Sequence, residues 1–204
     1  MLETVCEIFR EGYRRNWITA RDGNASVRNR NLDHFYITPS GVRKQTLQPE
    51  MFKRIRIAGE VWGSEPYTEI SANLKPSGEI YLHFALQKRV NTEIRVVLHM
   101  HPTYTVAAMM AGIQLADLVR EFPELGRYTR VGCNVPDVPP ISQTLADATV
   151  PMIGVNPDGS LDNHIVGIEK HGVVAIDTSP WRAFEHIERL EHIAKIVLAS
   201  KKFG

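Results

Sequence analysis

Val96-Val97-Leu98-His99-Met100-His101-Pro102 is the stretch from which the rest of the chain is read. Val96, Val97 and Leu98 read as a short buried strand, and two histidines follow at a spacing of two. Residues i and i+2 of an extended chain project to the same side, so both imidazoles can aim at one point. Pro102 ends the pairing pattern, and Thr103 to Met110 reads as the first turns of a helix. Neutral imidazole suits zinc and similar ions, so His-x-His at a strand end is a natural half of a metal site. Taken alone, the pair fits equally well one buried, hydrogen-bonded histidine beside a solvated one.

On the C-terminal side, Leu115 to Arg120 reads as helical, and residues 122–141 are the least regular part because of Pro123, Pro136, Pro139 and Pro140. A short helix is expected over Ser142 to Ala148, with Pro151 just beyond it. Asn156-Pro157-Asp158-Gly159 is a turn. Ile165 to Ile168 and Gly172 to Ile176 are strand-like and bracket His171. Apolar residues from Trp181 to Ala199 recur at helical spacing, with Thr178 or Ser179 as cap and Pro180 at the first position.

On the N-terminal side, Leu2, Val5, Ile8, Phe9 and Gly12 predict an amphipathic helix over about 2–15. Ala25 to Arg28 and His34 to Ile37 predict an antiparallel hairpin across a polar turn. Phe52 to Ile57 predicts another strand, with Val61-Trp62 as a possible continuation of the sheet. Lys75-Pro76-Ser77-Gly78-Glu79 opens a helix over about 79–88, and Glu79 and His83 share one face of it. An i,i+4 pair of that kind is ordinarily a solvated one.

The composition is that of a soluble globular protein, 43% apolar and 23% charged. With 204 residues, the chain reads as one mixed α/β domain spanning 1–204, without repeats or linkers. A net charge of +1 offers no general attraction for nucleic acid or an anionic membrane. Cys6 and Cys133 stand alone, which indicates neither disulfides nor a cysteine-based zinc site. No signal peptide and no apolar run of about 20 residues is found, so a cytoplasmic location is expected.

Each remaining motif is ordinary in isolation. In order, the chain offers Gly23-Asn24-Ala25-Ser26, Thr38-Pro39-Ser40-Gly41, Lys75-Pro76-Ser77-Gly78-Glu79, His99-x-His101-Pro102 and Lys170-His171-Gly172-Val173-Val174. That succession, over about residues 2–199, resembles the class II aldolase/adducin family, whose members include fuculose-1-phosphate aldolase. The resemblance implies a three-layer α/β/α sandwich around a central, largely antiparallel sheet, assembled as a homotetramer with interface active sites. It implies one Zn2+ per chain, or another divalent metal, on His99, His101 and His171, with Glu79 as the acid/base carboxylate. Asn24, Ser40, Gly41, Ser77 and Gly78 match the family's phosphate-binding loops.

Those residue types suit the chemistry. Three imidazoles leave zinc an open position for a Lewis-acid role, and a nearby carboxylate can move protons. Hydroxyls and glycine amides suit a phosphate dianion. The expected activity is reversible cleavage of a fuculose-1-phosphate-like ketose 1-phosphate to dihydroxyacetone phosphate and an aldehyde. Same-fold dehydration (methylthioribulose-1-phosphate type) or decarboxylation is the alternative. Epimerisation is disfavoured because such relatives carry Asp where this chain has Glu79. A non-enzymatic module like adducin's head has no use for this intact set. Two departures concern the substrate: Gly78 stands where many relatives have a second serine, and no tyrosine follows the last helix. Tyr128 lies in roughly the region that supplies a proton-donating tyrosine. Arg43 and Arg130 read as solvated arginines rather than substrate partners.

Overall fold

The computed structural model describes residues 1–57, 68–69 and 74–200. The elements run α1 (Leu2–Arg14), β1 (Asn24–Asn29), β2 (His34–Ile37), β3 (Lys53–Arg56), β4 (Thr68–Glu69), α2 (Ile80–Gln87) and β5 (Ile94–Met100). They continue with α3 (Thr103–Met110), α4 (Leu118–Glu121), α5 (Pro123–Tyr128), α6 (Gln143–Ile153), β6 (Ile165–Ile168), β7 (Gly172–Asp177) and α7 (Pro180–Ser200). The expected strand at Val61-Trp62 lies outside the described residues.

The seven strands form one sheet in the order β4-β3-β2-β1-β5-β7-β6, and every ladder is antiparallel. The expected hairpin is present, with Ser26 opposite Ile37 and Val27 opposite Tyr36. Alternation along β5 and β7 makes three layers. Val96, Leu98, Met100, Val173 and Ala175 enter a core with Phe9 of α1 and Phe184, Ile187 and Leu190 of α7. Val97, Val174 and Ile176 face the other way, onto Leu82 and Leu86 of α2 and Leu145 and Ile153 of α6. The three-layer α/β/α sandwich anticipated from the sequence is the fold observed.

Two segments differ from expectation. The proline-rich stretch is not wholly irregular: α5 begins at Pro123, whose fixed φ and missing N–H fit the first helical position. Beyond it, Val131 and Val135 make parallel bridges to Ile165 and Ile168, covering the outer edge of β6. The helix after Ser142 runs past Ala148 to Ile153, through Pro151. Pro151 removes only the bond to the carbonyl of exposed Asp147, and Gly154 at φ 68° ends the helix. Ser142 caps its start, accepting from the Leu145 N–H at 3.1 Å. Among the described residues, no helix is long and apolar enough to cross a membrane.

Candidate active site

The central strand β5 delivers His99 near its C-terminal end, and His101 follows just past it. His101 N–H donates to the Trp17 carbonyl at 2.8 Å, tying this end to the segment after α1. The third imidazole comes from the tight β6–β7 turn, where Lys170 adopts φ 57° and His171 precedes Gly172. Gly172 lies so close to β5 that a Cβ there would meet the Met100 carbonyl at 2.4 Å, His101 Cδ2 at 2.6 Å and His99 Cε1 at 3.1 Å. A glycine is what lets the third histidine approach the other two.

One ring nitrogen from each of His99, His101 and His171 lies within 4.8 Å of the others, and the His99 and His101 Nε2 atoms are 2.9 Å apart. His99 Nδ1–H donates to the Val173 carbonyl at 2.9 Å, which leaves Nε2 as the free lone pair. Burial, reinforced by the neighbouring imidazoles, holds the His99 and His101 pKa values down to about 3. Both rings are therefore neutral at physiological pH, the state a metal ligand requires.

Glu79 is the N-cap residue of α2, and its side chain is buried against the cluster. Oε1 lies 3.3 Å from His171 Nε2, and Oε2 lies 3.6 Å from His99 Nε2. Among the described residues, Oε2 is buried with no hydrogen-bond partner. A buried carboxylate oxygen left bare is costly unless something completes its environment. Three convergent imidazoles facing that oxygen fit a divalent cation by donor chemistry.

The other wall is built by two loops zipped together. Ser40 N–H donates to the Lys75 carbonyl at 2.9 Å and Ser77 N–H to the Thr38 carbonyl at 3.0 Å, with Pro39 bridging Pro76. A cavity of about 230 Å³ opens between this wall and the histidines. It brings together Asn24, Ser40, Gly41, Ser77, Gly78, Glu79, His99, His101 and His171. Arg21, Asp22, Lys44 and Ile141 also line it, and the sequence reading had not singled them out. The signal available for Lys44 was its place three residues past Gly41, just beyond the Thr38-Pro39-Ser40-Gly41 loop.

Tyr128 is not brought to this cavity. It is 50% exposed on α5, with the Arg127 and Arg189 guanidinium groups each 5.5 Å from its ring centroid. His83 is not a ligand or half of a solvated pair either: it is fully buried, between Asn24 Oδ1 at 2.5 Å and Ser26 Oγ at 2.7 Å. Arg43 is exposed, as read from the sequence, and exposed Arg130 donates to the carbonyls of Asp162 and Leu161.

A second group, His164, Asp177 and His186, also clusters its ligand atoms within 4.8 Å. Its histidine rings are stacked with planes 11° apart, so their in-plane lone pairs run side by side instead of converging. His186 is already committed, to Asp177 Oδ2 at 3.0 Å and Thr129 Oγ1 at 2.9 Å. This cluster is a satisfied polar seam between β7 and α7.

Residues 3–198 match the family described as Class II Aldolase and Adducin N-terminal domain. A methylthioribulose-1-phosphate dehydratase of Kluyveromyces lactis is 24% identical, the alignment covering 99% of this chain and 97% of that protein. A 3-oxo-tetronate 4-phosphate decarboxylase of Escherichia coli is 27% identical over 96% of this chain and 84% of its own. Among solved structures, an L-fuculose 1-phosphate aldolase superposes with a TM-score of 0.77 at 21% identity, covering 100% of this chain and 87% of that one. With the profile matched from the first helix to the last and the same architecture in solved relatives, this chain belongs to the class II aldolase and adducin family.

Proposed function

We propose that this chain is a divalent-metal-dependent lyase acting on a short phosphorylated ketose, reversibly cleaving a ketose 1-phosphate to dihydroxyacetone phosphate and an aldehyde. One observation carries the proposal: three imidazole nitrogens and the bare Glu79 oxygen converge at the end of a cavity whose other wall is hydroxyl- and glycine-rich loop. His99, His101 and His171 would hold the ion, zinc by donor type and one per chain. When bound, such an ion supplies Lewis-acid polarisation of a substrate carbonyl.

The chain's own residues account for binding and proton movement. Ser40, Gly41, Ser77 and Gly78 present hydroxyl and backbone donors to the phosphate, and the start of α2 at Ile80 adds its dipole. Asn24, paired across from His99 in the sheet, stands between that wall and the histidines. Glu79 takes the proton of the hydroxyl on the carbon that becomes the aldehyde. The carbon–carbon bond breaks, its electron pair stays on the triose-phosphate half, and Glu79 is placed to return the proton to that carbon. We further propose a homotetramer with interface sites, supported by the family resemblance. Exposed Tyr128 would then serve a neighbouring subunit's pocket.

Dehydration or decarboxylation of a related sugar phosphate is the second reading, favoured by the names of the two curated relatives that align over nearly the whole chain. Both reactions use the same carboxylate as proton carrier. A panel of ketose 1-phosphates with zinc-reconstituted protein separates the readings, His99→Ala serving as the blank. Dihydroxyacetone phosphate released by the wild type and not by the variant supports aldol cleavage. Loss of water or carbon dioxide without two carbonyl fragments moves the assignment to the second reading. A metal-loaded protein inert toward every phosphorylated sugar sinks both.

A further inference from the structure

Lys44 is a lysine in an unusual place. It follows the Ser40-Gly41 loop, lines the cavity, and is only 2% exposed. An ammonium carries three donors. Here one goes to the Arg21 carbonyl at 3.1 Å and one to the Val42 carbonyl at 3.3 Å. The third has no hydrogen-bond partner among the described residues, and no carboxylate there lies within ion-pair distance. The Phe9 ring lies beside it, 6.0 Å from Nζ to its centroid.

A buried cation with no directly paired carboxylate is unfavourable by itself, because backbone carbonyls replace only part of its hydration. Burial accordingly pushes the Lys44 pKa down, with Asp22 acting in the opposite direction. The carbonyls it holds belong to the two segments that frame the loop wall: Arg21 precedes the Gly23 turn, and Val42 follows Gly41. Gly23 itself sits at φ 71°, packed against Ile18 and the His99 carbonyl. The site thus has a buried ammonium at its hydroxyl-rich end and Glu79 at the histidine end, with Asp22 as a second carboxylate in the lining, beyond ion-pair distance of Lys44. Arg21, exposed at the rim, adds a second cation on the same side.

We propose that Lys44 is the charge partner of the substrate's phosphate dianion, selecting phosphorylated over neutral sugars. The ligand supplies the direct ion pair that the described residues do not, and the lysine supplies a charge-assisted bond that serine hydroxyls and glycine amides do not. The inference rests on the phosphorylated-sugar reading above and adds the residue that enforces it.

The test is calorimetric titration of zinc-loaded protein with inorganic phosphate. Lys44→Met should weaken binding by about 10- to 100-fold, the range for removing a hydrogen bond to a charged group. It should also erase the kcat/KM preference for a phosphorylated over an unphosphorylated ketose. Lys44→Gln separates charge from stapling, since its amide still donates to carbonyls. Binding as weak as in Lys44→Met supports the charge role, whereas wild-type binding in Lys44→Gln overturns it. In the wild-type protein, the Lys44 side-chain nitrogen resonance should shift at saturating phosphate, a readout independent of how the variants fold. An unmoved resonance overturns the proposal. Wild-type protein that neither binds phosphate nor turns over any sugar phosphate would instead overturn the parent reading.

Discussion

His83 Nε2–H donates to Asn24 Oδ1 at 2.5 Å, and that bond fixes which way the Asn24 amide faces. The direction is set from further back. Gln87 Nε2 donates to Ser26 Oγ at 2.9 Å, Ser26 can then donate to His83 Nδ1, and His83 is left with its proton on Nε2. Asn24 spends its acceptor on the histidine and keeps its two N–H donors. A buried chain of four side chains thus runs from the C-terminal end of α2 to the cavity wall.

His83→Phe is predicted to weaken this positioning without touching the metal ligands. Freed from its partner, Asn24 can turn over, and kcat/KM for the phosphorylated substrate should drop by roughly 10- to 100-fold, the worth of one or two hydrogen bonds. Zinc content per chain should stay at the wild-type level. Zinc lost in step with activity would mean that His83 supports the fold of the site and not Asn24.

Glu79→Gln preserves shape and removes the bare buried charge. Activity should fall by about 10²- to 10⁴-fold, the range for a general acid/base. The metal-free variant should be at least as stable as the metal-free wild type, because an uncompensated carboxylate has been neutralised. Steady-state kinetics together with a thermal melt in chelator check both halves. A sharp loss of metal-free stability would contradict the reading of Oε2 as unpartnered.

Gly172→Ala tests the close approach of the His171 turn to β5. The added methyl would press on the Met100 carbonyl and on both rings of the His-x-His pair. We expect a destabilisation of about 1–3 kcal/mol, typical of overpacking, and zinc binding reduced by at least tenfold. Denaturant melts and metal analysis read the two effects separately. A variant that retains full zinc affinity would show that the turn can relax away from the strand.

Buried His83 makes stability pH-dependent in a calculable direction. Burial, opposed by Glu79 and reinforced by His99, lowers its pKa from 6.5 to about 3. A histidine that stays neutral when folded but takes a proton when unfolded favours unfolding as pH falls below its unfolded pKa. Its contribution is therefore intact above about pH 6.5 and is lost progressively toward pH 3, at about 1.4 kcal/mol per pH unit. Urea unfolding of metal-free protein at pH 7, 6 and 5 should show this contribution added to like ones from His99, His101 and His164, with the total reduced by about one proton in His83→Phe. Asp177 adds a later loss. Burial opposes its charge, but hydrogen bonds from His186 and Thr178 hold its pKa at about 2, so that part disappears only as pH falls from about 4 toward 2.

The sequence by itself determined one mixed α/β domain and most of the order of its elements, while the three layers were implied by family resemblance. The apolar run Val96-Val97-Leu98 before His99 and the 3.6-residue spacing from Trp181 onward are local signals, and local sterics and burial are enough to read them. His99 and His101 share a face for the same local reason. That His171 joins them was implied only by family resemblance, because 70 residues separate it from His101 and the β5–β7 ladder closes the gap. The extension of α6 through Pro151 and the helix at Pro123 depend on what those segments pack against, which no local rule contains.

The same division runs through the site. Glu79 and His83 at four-residue spacing read as a solvated pair, yet both are buried, one facing the histidines and the other facing Asn24. Lys44 carries no motif, and only the meeting of the segments around Gly23 and Gly41 makes its charge part of the cavity. Tyr128 matched by region and is displayed on the surface, because position along a chain does not say which way a short helix turns its side chains. Spacing determines a residue's neighbours only within one element. Between elements, the pairing of strands and the packing of helices decide which charges lose their water and what they then face.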